Sequence, residues 1–329
     1  MPKRAFEIKN KNRYIRTMNK IDLMEKQKEF LDMLEVSGKS FNTVKNYRTD
    51  LNCYNKYLVS KGRDLHTNEM TLVEVKEYYS HLENLYNSPN SIRRRIQAMR
   101  IFYDYLLTQK LVETNPLKQA AVSPKRVDKP NPVSFKGVIS LYKYLVSQKE
   151  TKKPIDKLIA SRNLILIELI YNAGLKVSDI AILDNKNLFE GDTYRVMVNH
   201  PKRDPYTIEL SESFNTYFTD YKDLLEKQKN KDQIDFSNLL FNANPYKILS
   251  GGLSPRGIEV LFKEFSKKIE EKVTAKSLRQ ACVFKWISTG KSNTSIKEWL
   301  GVQPQYSLKP FHDLLKNEPD THTYKEVNL

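Results

Sequence analysis

Only two cysteines occur in 329 residues. Cys53 and Cys282 lie far apart, match no metal-ligand spacing and each sit in an apolar helical pattern, so buried free thiols in a reducing, cytoplasmic setting are expected. The chain has no long uninterrupted apolar run, no signal peptide and no lipidation motif, which argues against residence in a membrane. It has no P-loop, which excludes a helicase or ATPase of that type. Its acidic residues form no metal-nuclease cluster, and the five histidines (His66, His81, His200, His312, His322) show no zinc spacing. Solvent or packing roles suit them, and no metal or other cofactor is expected. Internal repeats and low-complexity tracts are also missing.

Acidic charge is scarce relative to basic. Lys and Arg number 55 against 39 Asp and Glu, a formal net charge of +16. Such a surplus points to a polyanionic partner, and nucleic acid is the usual one. Hydrophobic residues at 40% and charged residues at 29% are ordinary for a folded protein, and the length suits two domains.

Residues 1–20 are basic and nonperiodic, an expected N-terminal arm. From Thr43, "TVKNYRTDLNCYNKYLVSKG" spaces Val44, Tyr47, Leu51, Tyr54 and Leu58 by threes and fours, an amphipathic helix closed by Gly62. A second helix starts near Leu72. A third follows "NSPNS" with Ser91 as its expected cap; it buries Ile92, Ile96, Met99, Phe102 or Tyr103, and Leu106, and shows Arg93, Arg94, Arg95 and Arg100 on its other face. Residues 91–130 hold nine basic and three acidic side chains, an excess that favours phosphate contact over a merely solvated face. The stretch 122–135, "VSPKRVDKPNPVSF", with Lys125 and Arg126, reads as an extended basic linker. Beyond it come the buried helix "RNLILIELIYNAG", two strands "YRVMVN" and "YTIEL" joined by "HPKRDP", and helices around 214–229, 255–272, 278–289 and 295–300. The fold class is mainly α with a small antiparallel sheet (α+β). The expected divisions are 1–20, a helical domain 21–121, the linker 122–135, a larger domain 136–311 and a C-terminal tail 312–329.

The order of motifs resembles the tyrosine recombinases of the phage-integrase and Xer type, from about Glu25 to about Leu315. "KSFNTVKNYRTDLNCYNKYLVSKG" and "SIRRRIQAMRIFYDYLLTQKLVETNPL" look like the two ends of their SAM-like core-binding domain. "YNAGLKVSDIAIL", "GLSPRG", "TAKSLRQA" and "IKEWLGV" follow in the family's order and spacing. The resemblance implies an integrase-type second domain, a two-domain clamp on double-stranded DNA, and a reaction in which a tyrosine hydroxyl attacks a phosphate while cations stabilise the transition state.

At the catalytic positions the sequence departs from the family pattern. In "AGLKVSD", Lys176 stands for the first arginine, keeping charge but not the planar fork, and Asp179 for the acidic residue. In "HPKRDP", Pro201 falls on the lysine position, leaving Lys202, with Arg203 in reserve. In "KSLRQ", Arg279 matches the second arginine, Lys276 replaces a histidine and Gln280 another. In "WLGV", Val302 cannot donate to phosphate. Nine residues on, where the nucleophilic tyrosine belongs, stands Phe311. Tyr306 is five residues too early and Tyr324 thirteen too late, with packing roles expected.

The expected function is therefore site-specific DNA binding in replication, segregation, regulation or mobile-element maintenance, without catalysis. Expected DNA contacts are Lys45, Arg48, Arg93, Arg94, Arg95, Arg100, Lys125, Arg126, Lys176, Lys202, Arg203, Arg256, Lys276 and Arg279. The alternatives are an active recombinase with an atypical site, and an accessory subunit that exchanges its tail with a neighbour in a homo-oligomer or mixed assembly.

Overall fold

A computed structural model describes residues 21–67, 70–119, 129–200 and 203–327. The chain divides into two compact units, Met1–Asp128 and Lys129–Leu329, each with its own hydrophobic core. Among the described residues no helix is long and apolar enough to cross a membrane.

In the first unit, β1 (Ile21–Asp22) pairs antiparallel with β2 (His66–Thr67). Four helices make its core: α1 (Leu23–Val36), α2 (Phe41–Ser60), α3 (Leu72–Leu85) and α4 (Pro89–Thr108). Their starts follow from local chemistry. The Asp22 carboxylate accepts from the Met24 N–H at 2.9 Å. Thr71 and Glu74 bond each other's backbone at 3.3 and 2.6 Å, a reciprocal cap. Helix α4 starts earlier than the sequence suggests, because Ser88, not Ser91, is its cap. Pro89 can occupy the first helical position, where its missing N–H costs nothing. The α4 stripe buries both Phe102 and Tyr103. Between α1 and α2, Gln27 and Asn55 exchange two amide hydrogen bonds of 2.8 and 2.7 Å, so this buried polar pair is satisfied. Cys53 is half-buried, less enclosed than its pattern suggests, with Sγ 3.8 Å from the Tyr86 hydroxyl.

The second unit is built around α6 (Pro154–Tyr171), most of whose residues are buried on every side. Helices α5 (Phe135–Gln148), α8 (Glu212–Asp232) and α10 (Ala275–Ser288) pack on it. A short α7 (Val177–Ile180) follows α6. The sheet is β3 (Leu188–Phe189), β4 (Arg195–His200) and β5 (Arg203–Glu209), antiparallel in that order. Val196 pairs with Ile208 and Val198 with Tyr206, all four buried. A hairpin of β6 (Phe241–Ala243) and β7 (Leu249–Gly251) precedes α9 (Pro255–Lys268). After α10 come α11 (Asn293–Leu300), α12 (Lys309–Asn317) and α13 (Pro319–His322).

Two drawn boundaries fall inside helices. The linker was expected to end at Phe135, where α5 begins, capped by Ser134, whose hydroxyl accepts from the Gly137 N–H at 2.9 Å. The tail boundary after residue 311 cuts α12, and Phe311, Tyr324 and Val327 all belong to the core of the second unit. Phe311 and Tyr324 both meet Phe284, and Tyr324 also meets Phe135.

Buried polar groups in this core are largely paired. One oxygen of the fully buried Glu168 accepts from Asn172, Ser211 and Ser213 at 2.6, 2.7 and 3.0 Å. Asn172 in turn accepts from the Lys285 ammonium, whose pKa burial pushes down. Cys282 is wholly buried, and its thiol is pushed up to about 12, which makes it inert as a nucleophile.

Gly174 closes α6 with a φ of +63°, and a Cβ there would lie 2.4 Å from the Trp286 ring. Left-handed backbone strain and overpacking act together, so Gly174→Ala is expected to lower the stability of the second unit by about 3 kcal/mol. Urea unfolding followed by tryptophan fluorescence checks this.

Candidate nucleic-acid interface

The turn after Gly174 places Lys176 at the head of α7. Its backbone N–H points to the Asp179 carboxylate at 3.4 Å, and Asp179 is buried. The acidic residue thus holds the turn rather than facing a ligand. Thr274 caps α10, accepting from the Ser277 N–H at 2.9 Å, and Lys276 and Arg279 follow one turn apart. Arg279 donates from Nε to the Gly174 carbonyl and from Nη2 to the Leu300 carbonyl at 2.9 Å. It therefore ties the end of α6 and the end of α11 to α10. Burial pushes its pKa down, but an arginine starts so high that it remains a cation at neutral pH.

Lys176, Lys276 and Arg279 line one cavity of about 640 Å³, together with Lys263, Glu259 and Phe262. Three expected phosphate ligands are thus brought together, and a fourth cation, Lys263, joins them. Lys263 carried no signal in the sequence beyond its place on an amphipathic helix. Its approach depends on how α9 packs beside α10. The N-terminus of α10 adds its partial positive charge to the same space.

Other expected residues lie elsewhere. Arg256, at the start of α9, is exposed and paired with Glu259 at 2.9 Å, an arrangement worth little to stability. Lys202 lies outside the described residues, as do Lys125 and Arg126. Arg203 opens β5, its backbone paired with His200. Gln280, which replaces a histidine of the family pattern, accepts the Asn131 N–H at 3.1 Å. Val302 packs partly buried against the core. Phe311 is 5% exposed, its ring 5.3 Å from that of Phe284. Tyr324 is buried, and its hydroxyl donates to the Val133 carbonyl at 2.7 Å. Tyr306 is 40% exposed.

In the first unit, α2 and α4 enclose a concavity of about 440 Å³ lined by Asn46, Tyr47, Asp50, Arg93, Arg94 and Gln97. Lys45 and Arg48 are exposed on α2, Arg48 lying 3.8 Å from Glu35. Arg94 is 2.9 Å from the buried Asp50 carboxylate, which leaves its outer donors at the surface. Arg93 is half-buried at the rim.

Arg95 does not share that face. It is 8% exposed, stacks 3.7 Å from the Tyr86 ring centre, donates to the Ser91 carbonyl at 3.0 Å and lies 4.0 Å from Asp50. Three consecutive arginines span about 200° of a helix, so one of them must turn toward the neighbouring elements. Arg100 is half-buried. Beside it, burial pushes the Asp104 carboxyl up, but hydrogen bonds from Lys118 and Asn115, with the charges of Lys118 and Arg100, hold it below its ordinary range. For Asp50 the balance runs the other way. Burial raises its pKa more than Arg94 and Arg95 lower it.

Comparison with known proteins places this architecture. Residues 28–110 match the phage integrase N-terminal SAM-like domain. Tyrosine recombinase XerC of Listeria monocytogenes is 21% identical over 281 residues, covering 84% of this chain and 88% of that protein. XerC of Pelotomaculum thermopropionicum is 25% identical over 282 residues, covering 83% and 88%. Among solved structures, lambda integrase bound to DNA matches with a TM-score of 0.64 at 14% identity, covering 94% of this chain and all of that one.

The chain is similar over most of its length to tyrosine recombinases. XerH bound to a palindromic difH substrate is similar as well, with a TM-score of 0.63 at 13% identity over 85% of this chain and 78% of that one. Both units therefore fall within the similarity, and the mainly helical recombinase fold with its small antiparallel sheets is the fold of this chain.

The first unit's charge pair separates structural from surface arginines. Asp50→Ala leaves Arg95 buried without its counter-charge and is expected to cost about 3 kcal/mol. Arg94→Ala removes a half-exposed partner and is expected to cost about 1 kcal/mol or less. Denaturant midpoints of the two variants, at equal unfolding slope, measure the difference.

Proposed function

We propose that this protein binds double-stranded DNA site-specifically and does not cut it. The observation that carries the reading is Phe311, in the family's nucleophile spacing after Val302 and buried against Phe284. A phenyl ring has no hydroxyl to attack a phosphate. Val302 offers no donor, and Lys176 supplies charge without the two-pronged grip that an arginine gives a phosphate. Cations remain at Lys176, Lys263, Lys276 and Arg279 around one cavity, which supports anchoring of a backbone phosphate. Arg93, Arg94, Lys45 and Arg48 support further phosphate contacts from the first unit. The DNA-bound integrase and XerH structures supply the analogy for a duplex ligand.

A second reading is favoured by Tyr306. It is substantially exposed. In that reading Tyr306, exposed and five residues before Phe311, is an alternative nucleophile in strand exchange.

A duplex carrying a nick next to each candidate cleavage position traps any covalent product. Denaturing gels are expected to show no protein–DNA adduct, either for the natural chain or for Phe311→Tyr, because the other ligands have also departed. An adduct that disappears in Tyr306→Phe would establish the second reading. Phosphate anchoring is tested separately by salt dependence. Arg93→Ala and Arg94→Ala are each expected to weaken binding across sequences and to reduce the slope of log affinity against log salt by about 1. An unchanged slope would remove those residues from the interface.

A further inference from the structure

Helix α10 shows two stripes one residue apart. Lys276 and Arg279 line the cation-bearing cavity. Ser277 and Gln280, each one residue further on, meet the chain that enters the second unit. The Ser277 carbonyl accepts from the Val133 N–H at 3.3 Å, and the Gln280 side chain from the Asn131 N–H at 3.1 Å. Residues separated by one position point about 100° apart on a helix, so a single rigid element serves both faces.

The entering segment is held from two further sides. Glu271 accepts from the Ser134 N–H and hydroxyl at 3.2 and 2.8 Å. Tyr324, from the C-terminal segment, donates its buried hydroxyl to the Val133 carbonyl at 2.7 Å, and its ring stands edge-on to Phe135 at 6.0 Å. The C-terminal segment is itself pinned, since the Tyr171 hydroxyl donates to the Lys325 carbonyl at 2.6 Å. Within residues 131–134, Asn131, Val133 and Ser134 thus engage three parts of the chain that are remote in sequence.

We infer that Gln280 and Tyr324 are positioning residues for DNA binding: together they clamp residues 131–134 onto the helix that carries Lys276 and Arg279. The clamp fixes where the chain leaves the first unit's linker and joins the second unit's anion cavity. The role of the clamp in binding rests on the DNA-binding reading, whereas the clamp itself does not. It also gives two aromatic and polar positions a use other than chemistry. Gln280, in a place where the resemblance expects a phosphate ligand, holds backbone, and the Tyr324 hydroxyl is committed to a carbonyl.

Hydrogen exchange on the full-length chain, with duplex binding measured alongside, tests both parts. Gln280→Leu is expected to speed exchange at the Asn131 amide about fivefold, as loss of one hydrogen bond implies, and Tyr324→Phe, by freeing the Val133 carbonyl, to loosen the segment and speed exchange at the Val133 amide that bonds the Ser277 carbonyl. Gln280→Glu keeps an acceptor and is expected to restore slow exchange. Both disrupting variants are expected to lose about fivefold in DNA affinity while the cavity arginine's neighbourhood, followed by exchange in α10, stays protected. Unchanged exchange at residues 131–134 overturns the clamp. Faster exchange with unchanged affinity overturns its part in binding. If the natural chain binds no duplex, the DNA-binding reading fails, and with it that part, while the exchange result still decides the clamp.

Discussion

The grip of Arg279 on the Gly174 carbonyl is the constraint around which the second unit's surface is arranged. Gly174 must be glycine there, since its backbone is left-handed and Trp286 lies against its α-carbon. That turn releases the chain from α6 and delivers Lys176 to the rim of the cavity. The same guanidinium reaches the Leu300 carbonyl and so fixes the end of α11. One side chain therefore sets the places of three elements while contributing charge to the cavity. Its role in the fold means that its presence alone does not measure selection for anion binding. Lys176, Lys263 and Lys276 line the same space and add their charge to it.

Charge and chemistry are separable on this scaffold. Holding a phosphate needs cations near its oxygens, and lysine and arginine both supply them. Breaking its ester bond needs a nucleophile at one point and donors directed at the oxygens of the transition state. Here four cations surround the cavity, while the side chains of Phe311 and Val302 carry no hydroxyl or N–H. In the first unit the same economy appears differently. Asp50 draws Arg95 inward and steadies Arg94, so a single buried carboxylate divides a basic run into an interior and an exterior member.

Periodicity made the helices of both units legible, and the β4–β5 hairpin showed through its alternation. The short elements were not legible. The strands Phe241–Ala243 and Leu249–Gly251 are three residues each, too short for a period to register, and their pairing depends on contacts within the fold. Helix α5 was hidden by the prolines just before it. At the candidate site, Lys176, Lys276 and Arg279 were found because each falls within a motif of fixed spacing. Arg95 has neighbours of the same charge, and only contacts with Tyr86 and Asp50 decide that it is the arginine that turns inward. Gln280 is read from the motif "KSLRQ" and Tyr324 from its distance beyond Phe311. Their partners, Asn131 and Val133, lie 149 and 191 residues away, beyond the reach of local pattern.

Under the proposed non-cleaving reading, a phenyl ring at position 311 makes no polar demand on the fold. The Phe311 ring sits among Phe284 and neighbouring core side chains. A tyrosine there would bring a hydroxyl that must find a partner or bear the cost of burial, about 1–3 kcal/mol by mutational measures. A phenyl ring makes no such demand and retains the packing. Neither a stable core nor phosphate anchoring requires a hydroxyl at position 311. The C-terminal segment is consistent with this. It is held by Tyr171, Val133 and Phe284 through contacts that need neither a reactive hydroxyl nor a substrate.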